Sequence, residues 1–208
     1  MNTACGGIIL AGGRARRFDA DGAVDKGLLL LNGQPLVAHS QRKLAPRVGQ
    51  LLISANRHPD QYGHYGTVCA DEPELGAYQG PLAGLASCMS RLRLDWAYVT
   101  PVDLPLLSAT VYERLWEAAQ SSRFTRPLYY VQAARTHPLC MLVHRDVGQQ
   151  VRQFVVDGER RVMHFLQRVQ AQSVDCSDLD ERIFFNVNTP ADLAQIQTVL
   201  AGRQFNSL

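Results

Sequence analysis

No apolar run in this 208-residue sequence approaches the roughly 20 residues that a membrane-spanning helix needs. The first residues also lack the basic and long apolar stretches of a secretory signal. Strong charge of either sign is missing: the net charge is +2, with 19% charged residues. Such a chain offers no footprint for nucleic acid held by bulk electrostatics. Cysteine is sparse. The five (Cys5, Cys69, Cys88, Cys140 and Cys176) are odd in number and never spaced CxxC, against a disulfide framework or a structural zinc site. Six histidines show no metal-ligand spacing, and none pairs with a serine or cysteine in a hydrolase pattern such as GxSxG. The dinucleotide fingerprint GxGxxG is missing, as is the phosphate loop GxxxxGK followed by Ser or Thr. Repeats, linkers and low-complexity tracts are absent too. Together these absences describe a reduced, cytoplasmic chain with no membrane or nucleic-acid partner. Its length and 46% hydrophobic content suit one well-filled α/β domain spanning residues 1–208.

What is present is an alternation of strands and helices. Apolar runs predict strands over Ile8–Leu10, 51–55, 67–70, 96–100, 128–131, 139–143 and 184–187, with a shorter run at 28–31 before an Asn32-Gly33 turn. Pro35 starts a helix that runs to about Leu44 and that Pro46 ends. Further helices are expected from Gly80 towards Leu92, after the cap Ser108, near 147–156 and 161–168, and from Thr189-Pro190-Ala191-Asp192 to about Leu200. The alternation predicts a three-layer α/β/α fold with a mostly parallel, Rossmann-like sheet. In such sheets the site lies beyond the carboxyl ends of the strands. One edge would then collect the loop after Leu10, Asn56, Asp71, Asp103 and the stretch Asn186–Asn188.

The chemistry-bearing stretch runs from Gly6 to Gly27. A strand breaks at Gly12-Gly13, turns basic at Arg14, Arg16 and Arg17, and closes with Asp25-Lys26-Gly27. Unobstructed backbone N–H groups beside arginine forks and a lysine point charge suit a polyphosphate; a tight connection followed by a solvated basic loop is the plainer alternative. Asp103, held in Pro101-Val102-Asp103-Leu104-Pro105, could hold Mg²⁺ or merely cap its turn. Asp71 raises the same question. Gly80 and Gly84 open a helix that could pass close to a ligand or simply pack tightly on the sheet. Asn186 and Asn188 would share one face of a strand, and Glu159-Arg160-Arg161 reads as a solvated helix entrance or a phosphate contact.

Nearly the whole chain resembles the molybdenum cofactor guanylyltransferases, also called molybdopterin-guanine dinucleotide synthases. The resemblance rests on LAGGRARR at Leu10–Arg17, VDKGLL from Val24, LNGQPLVAH from Leu31 and SANRH at Ser54–His58. It continues with GPLAG at Gly80–Gly84, the PVDLP turn, His137-Pro138, GERRVM at Gly158–Met163 and FNVNTP ending at Pro190. It implies a nucleotidyltransferase fold and transfer of GMP from GTP to the terminal phosphate of molybdenum-molybdopterin, with Mg²⁺ required and pyrophosphate released. The N-terminal half would bind nucleotide and the C-terminal half mainly the acceptor. Leu10, Ala11, Gly12 and Gly13 would bind the nucleotide, Lys26 and Arg17 would serve its phosphates catalytically, Asp71 would aid recognition, and Asp103 would bind nucleotide and metal. Gly80 and Gly84 join the nucleotide side, while Asn186 and Asn188 match a motif near the pterin end. Transient contact with cofactor-synthesis proteins and apo-molybdoenzymes would follow. Two departures stand out: Ser54 where the family often has a nucleotide-contacting asparagine, and a longer loop between Arg17 and Val24 carrying Asp19 and Asp21. Alternatives are a related enzyme using CTP or a sugar-phosphate acceptor, and a non-catalytic nucleotide- or cofactor-binding protein.

Overall fold

A computed structural model describes residues 5–12, 18, 24–76 and 79–205. In chain order the elements are β1 (Cys5–Leu10), the hairpin β2 (Leu30–Leu31) and β3 (Gln34–Pro35), α1 (Leu36–Leu44), β4 (Gln50–Ser54), α2 (Pro59–Gly63) and β5 (Thr67–Cys69). Next come α3 (Pro81–Met89), β6 (Trp96–Pro101), α4 (Ala109–Ser121), β7 (Leu128–Gln132) and β8 (Thr136–His144). The chain continues through α5 (Val147–Val156), α6 (Val162–Arg168), β9 (Gln172–Asp175) and α7 (Pro190–Phe205).

Seven strands form one sheet in the order β5-β4-β1-β6-β8-β7-β9. The first four pair in parallel, as do β7 and β9, while β8 is antiparallel to both of its neighbours. The mostly parallel α/β/α prediction therefore holds, with β8 as the reversed strand. Period-2 alternation divides the core. Ile9, Tyr98 and Leu142 point to one side, packed with Leu36, Leu115 and Ile196 from α1, α4 and α7. Ile8, Leu10, Val99 and Met141 point to the other, packed with Leu85, Val151 and Phe165 from α3, α5 and α6. A strand covered on both faces must be apolar throughout, and β1 is buried at every residue.

One expected strand does not form, and two elements lie outside the predicted set. Residues 184–187 are not a strand: Glu181–Phe184 is a 3₁₀ turn capped by the Asp180 carboxylate, and the chain beyond it runs irregularly. Its apolar side chains fill gaps instead of joining a ladder. Phe184 stacks on His137 with ring centroids 4.4 Å apart, and Val187 is fully buried. The strand that does complete the sheet, β9, reads Gln-Ser-Val-Asp; at an edge only Val174 needs the core. Finally, the segment after Asn56 contains a short helix, α2, with His58 in the left-handed region at φ 50° and Pro59 at the first helical position. The terminal helix passes Leu200 to end at Phe205, whereas α3 stops at Met89, short of Leu92.

Helix starts follow local chemistry. Ser108 Oγ accepts from Thr110 N–H at 3.1 Å at the head of α4. On α1, the His39 Nε2–H donates to the Leu31 carbonyl at 3.0 Å. Burial, aided by the charges of Arg42 and Lys43, outweighs that bond and lowers the His39 pKa from its ordinary 6.5. A depressed histidine resists protonation in the folded state, so its stabilisation is complete above about pH 6.5 and is lost as pH falls through the folded pKa. His39→Gln should therefore flatten the decline of Tm between about pH 7 and 5. An unchanged slope would assign that decline to other groups.

Candidate nucleotidyl-transfer site

Backbone hydrogen bonds carry the parallel ladders one residue past the strand ends. Ala11 N–H donates to Ser54 O (2.9 Å), Val102 N–H to Leu10 O (3.0 Å) and Ala55 N–H to Cys69 O (3.0 Å). The segments leaving β1, β4, β5 and β6 are thereby held side by side, and Gly12, Asn56, Asp71 and Asp103 emerge on one edge. Asn56 grips Asp71 at two points: its Nδ2 donates to Asp71 Oδ2 at 2.7 Å, and its Oδ1 accepts from Asp71 N–H at 2.7 Å. Gly84 of α3 presses on the same group. A Cβ there would sit 2.2 Å from Ser54 Oγ and 3.7 Å from Asp71 Oδ1, so only glycine fits. A Cβ on Gly12 would lie 3.5 Å from Asn56 Nδ2 and 3.6 Å from Ser54 Oγ. Gly12, Ser54, Asn56, Asp71 and Gly84 therefore form one cluster, with Gly80 at the N-cap of α3 in a positive-φ conformation (92°). Ser54 is buried beneath this cluster.

Lys26 is presented by a separate device. Asp25 caps a 3₁₀ turn over Lys26–Leu28, its Oδ1 accepting from Gly27 N–H at 3.2 Å. The Tyr62 hydroxyl donates to the same oxygen at 2.5 Å, and Arg57 Nε lies 3.6 Å from Oδ2. With Asp25 turned inward, Lys26 faces the strand ends. Its Nζ donates to Asp103 Oδ2 at 3.0 Å and to Asn188 Oδ1 at 2.8 Å. The backbone of the Asp103 turn is pinned from three sides. Val102 N–H reaches Leu10 O as above, Val187 N–H donates to Asp103 O at 2.9 Å, and Lys43 Nζ donates to Pro105 O at 2.6 Å. Asn186 lies partly buried just ahead of Val187. Because this stretch is not a strand, Asn186 and Asn188 do not share a strand face as expected.

Gly13, Arg14, Arg16, Arg17, Asp19 and Asp21 lie outside the described residues. Arg160, read from sequence as a solvated residue or a phosphate contact, is engaged by protein: its Nε donates to Gln79 Oε1 at 3.0 Å and its Nη1 to the carbonyls of Val155 (2.6 Å) and Glu159 (2.8 Å). It ties the end of α5 to the loop before α3, and Arg161 is exposed beside it. The sequence reading missed Tyr62, Arg57 and Asp192. The SANRH motif offers a signal for Arg57, whereas Tyr62 sits in α2, a helix too short for its periodicity to show in the sequence. Two open clefts, of about 530 and 700 Å³, lie at the amino ends of the strands and contain none of these residues.

The sequence matches the MobA-like NTP transferase domain over residues 7–174. The chain belongs to that family. Molybdenum cofactor guanylyltransferases of Vibrio cholerae and Yersinia pseudotuberculosis are 38% and 36% identical to it, over 90% and 89% of this chain and 89% and 91% of theirs. The crystal structure of molybdopterin-guanine dinucleotide biosynthesis protein A from Archaeoglobus fulgidus superposes with a TM-score of 0.76 at 18% identity, covering 95% of this chain and 99% of that one. A CMP:2-keto-3-deoxy-manno-octonic acid synthetase superposes at 0.70 with 14% identity over 96% and 99%. Members of the MobA-like family are nucleotidyltransferases, and this chain carries the family's fold, with Leu10–Gly12 and the DKG and PVDLP segments converging on one edge. No described helix is long and apolar enough to cross a membrane.

Proposed function

We propose that the protein transfers GMP from GTP to the terminal phosphate of molybdenum-molybdopterin, in the cytoplasm, and releases pyrophosphate. The observation that carries this reading is the position of Lys26 Nζ, bonded at once to Asp103 at a strand end and to Asn188 in the C-terminal segment. A cation held between the strand ends and the C-terminal segment suits a point where a nucleotide's phosphates would meet an incoming phosphate. The acceptor is a phosphate monoester, already anionic near neutral pH, so the step needs no strong general base. One of its oxygens forms a bond to the α-phosphorus, the bond to the β-phosphate's bridging oxygen breaks, and pyrophosphate leaves. Catalysis rests on alignment and on offsetting the charge that develops.

In this reading Lys26 and the backbone amides of Gly12 and Gly13 hold the phosphates, with Leu10 and Ala11 lining the nucleotide and Arg17 beside them. Asp71, braced by Asn56, contributes to nucleotide recognition over the Gly80–Gly84 helix start. Asn186 and Asn188 face the acceptor. Ser54 is shorter than the asparagine common in the family, and Asn56 lies in the same cluster against Gly12. Among the described residues no three His, Cys, Asp or Glu side chains gather into a metal cage. Mg²⁺ fits without one, because it is typically held by one or two carboxylates together with substrate phosphates and water. Asp103, 22% exposed and already drawing a cation to Oδ2, is the carboxylate that would hold it. Bound there, the ion would supply charge neutralisation at the phosphate oxygens.

Pyrophosphate release should require GTP and molybdenum-molybdopterin together; release from GTP alone, or none with both, would refute the transfer. Lys26→Ala should raise the KM for GTP by roughly 10- to 100-fold, the worth of one or two charge-assisted contacts. Unchanged steady-state constants would remove Lys26 from the site. Transient contact with cofactor-synthesis proteins and apo-molybdoenzymes completes the reading.

A further inference from the structure

The last helix begins in an unusual way. In a capping box, the side chain at the third helical position reaches back to the N–H of the cap residue, whose own side chain returns the bond. Both bonds are present in α7: Thr189 N–H donates to Asp192 Oδ2 at 2.8 Å, and Asp192 N–H donates to Thr189 Oγ1 at 3.2 Å. The same carboxylate oxygen takes a second bond, from Asn188 N–H at 2.8 Å. Asn188 lies one residue before the cap, so this bond adds nothing to the helix itself. What it fixes is the backbone of the residue whose amide oxygen accepts from Lys26 Nζ. One residue further back, Val187 is fully buried and its N–H is bonded to Asp103 O. Asn188 is thus clamped from both sides, and its side chain is aimed at the site lysine. The Asn188 N–H, with the Thr189 hydroxyl and N–H and the nearby charge of Lys26, holds the Asp192 carboxyl below its ordinary value against the opposing effect of burial.

We propose that Asp192 is a positioning residue: through Asn188 it sets the Lys26 ammonium against Asp103, so that the first turn of the C-terminal helix tunes the nucleotide half of the site. The consequence for GTP rests on the function proposed above; the latch itself does not. A helix cap that only stabilised α7 would act on folding and leave Lys26 untouched, which gives the two roles different signatures.

The sequence holds only two lysines, Lys26 and Lys43, so each serves as the other's reference. With limiting acetic anhydride on the full chain without ligand, peptide mass spectrometry reads the ratio of Lys26 to Lys43 acetylation. Asp192→Ala should raise that ratio about fivefold, the effect of one lost hydrogen bond. Asp192→Asn keeps an oxygen that can accept the same N–H groups and should return it towards wild type. Thr189→Ala removes the other arm of the box and is expected to lower Tm comparably, but should leave the ratio within about twofold. An unchanged ratio in Asp192→Ala, or an equal rise in Thr189→Ala, overturns the latch. Metal-free GTP binding by calorimetry supplies the second readout. Asp192→Ala should weaken it about tenfold and add nothing in a Lys26→Met background, whereas additive losses would contradict the assignment. If the wild-type chain binds no GTP even with Mg²⁺ present, the transfer reading falls, while the acetylation ratio still decides the latch.

Discussion

Asp103→Ala is expected to lower kcat by on the order of 10³-fold, the scale of removing a preorganised charge from a phosphoryl-type transition state. The carboxylate is held with little freedom. Its backbone carbonyl accepts from Val187 N–H, the neighbouring Val102 N–H is bonded to Leu10 O, and Lys26 Nζ sits 3.0 Å from Oδ2. In the proposed reaction it both steadies Lys26 and would hold the metal, so truncation removes two contributions at once. Folding should be spared, because the side chain is 22% exposed and belongs to no apolar cluster. Asp103→Asn keeps the shape and an acceptor oxygen but not the charge; a loss nearly as large would assign the effect to charge. Near-normal turnover in either variant would remove Asp103 from the chemistry.

The second large effect is structural and falls on the same loop. Gly27→Ala should cost about 2 kcal/mol, typical of forced overpacking, or roughly 4–8 °C in Tm for a domain of this size. A Cβ there would lie 2.3 Å from the Tyr62 hydroxyl and 3.1 Å from its ring. Tyr62 has no room to yield: it is fully buried, and its hydroxyl donates to Asp25. The glycine is demanded by space, since that phenol occupies the volume a side chain would need. Pushing it aside would break the bond that turns Asp25 inward and presents Lys26, so GTP binding should weaken along with stability. Tyr62→Phe removes the offending oxygen, and the double variant should recover part of the lost Tm. A double variant no more stable than Gly27→Ala alone would show that the clash is not the cause.

The two cases show where sequence reasoning reached and where it stopped. The central strands β1, β4 and β6 were legible because burial on both faces forces continuous apolar runs. β9 was not, because an edge strand can read Gln-Ser-Val-Asp and still pair with β7. The apolar run at 184–187 misled for the opposite reason: Phe184 and Val187 bury as plugs, and the backbone between them joins no ladder. At the site, the glycine turn, Asp25-Lys26-Gly27, Asp71 and Asp103 stood out as residues of the right chemistry at strand ends. Their contacts did not. The Tyr62–Asp25 bond spans 37 positions and the Lys26–Asn188 bond 162, and no local pattern announces a partner at such distance. Thr189-Pro190-Ala191-Asp192 was readable as a helix start, but the third bond of Asp192 depends on where Asn188 is held in space.

The most direct measurement offers the protein molybdenum-loaded molybdopterin and Mg²⁺ with GTP, CTP and ATP in equal concentrations, and identifies the product by mass spectrometry. The guanine dinucleotide is expected as the main product, with one pyrophosphate released per molecule formed. A cytosine or adenine dinucleotide in its place, or unaltered molybdopterin, would contradict the proposed transfer.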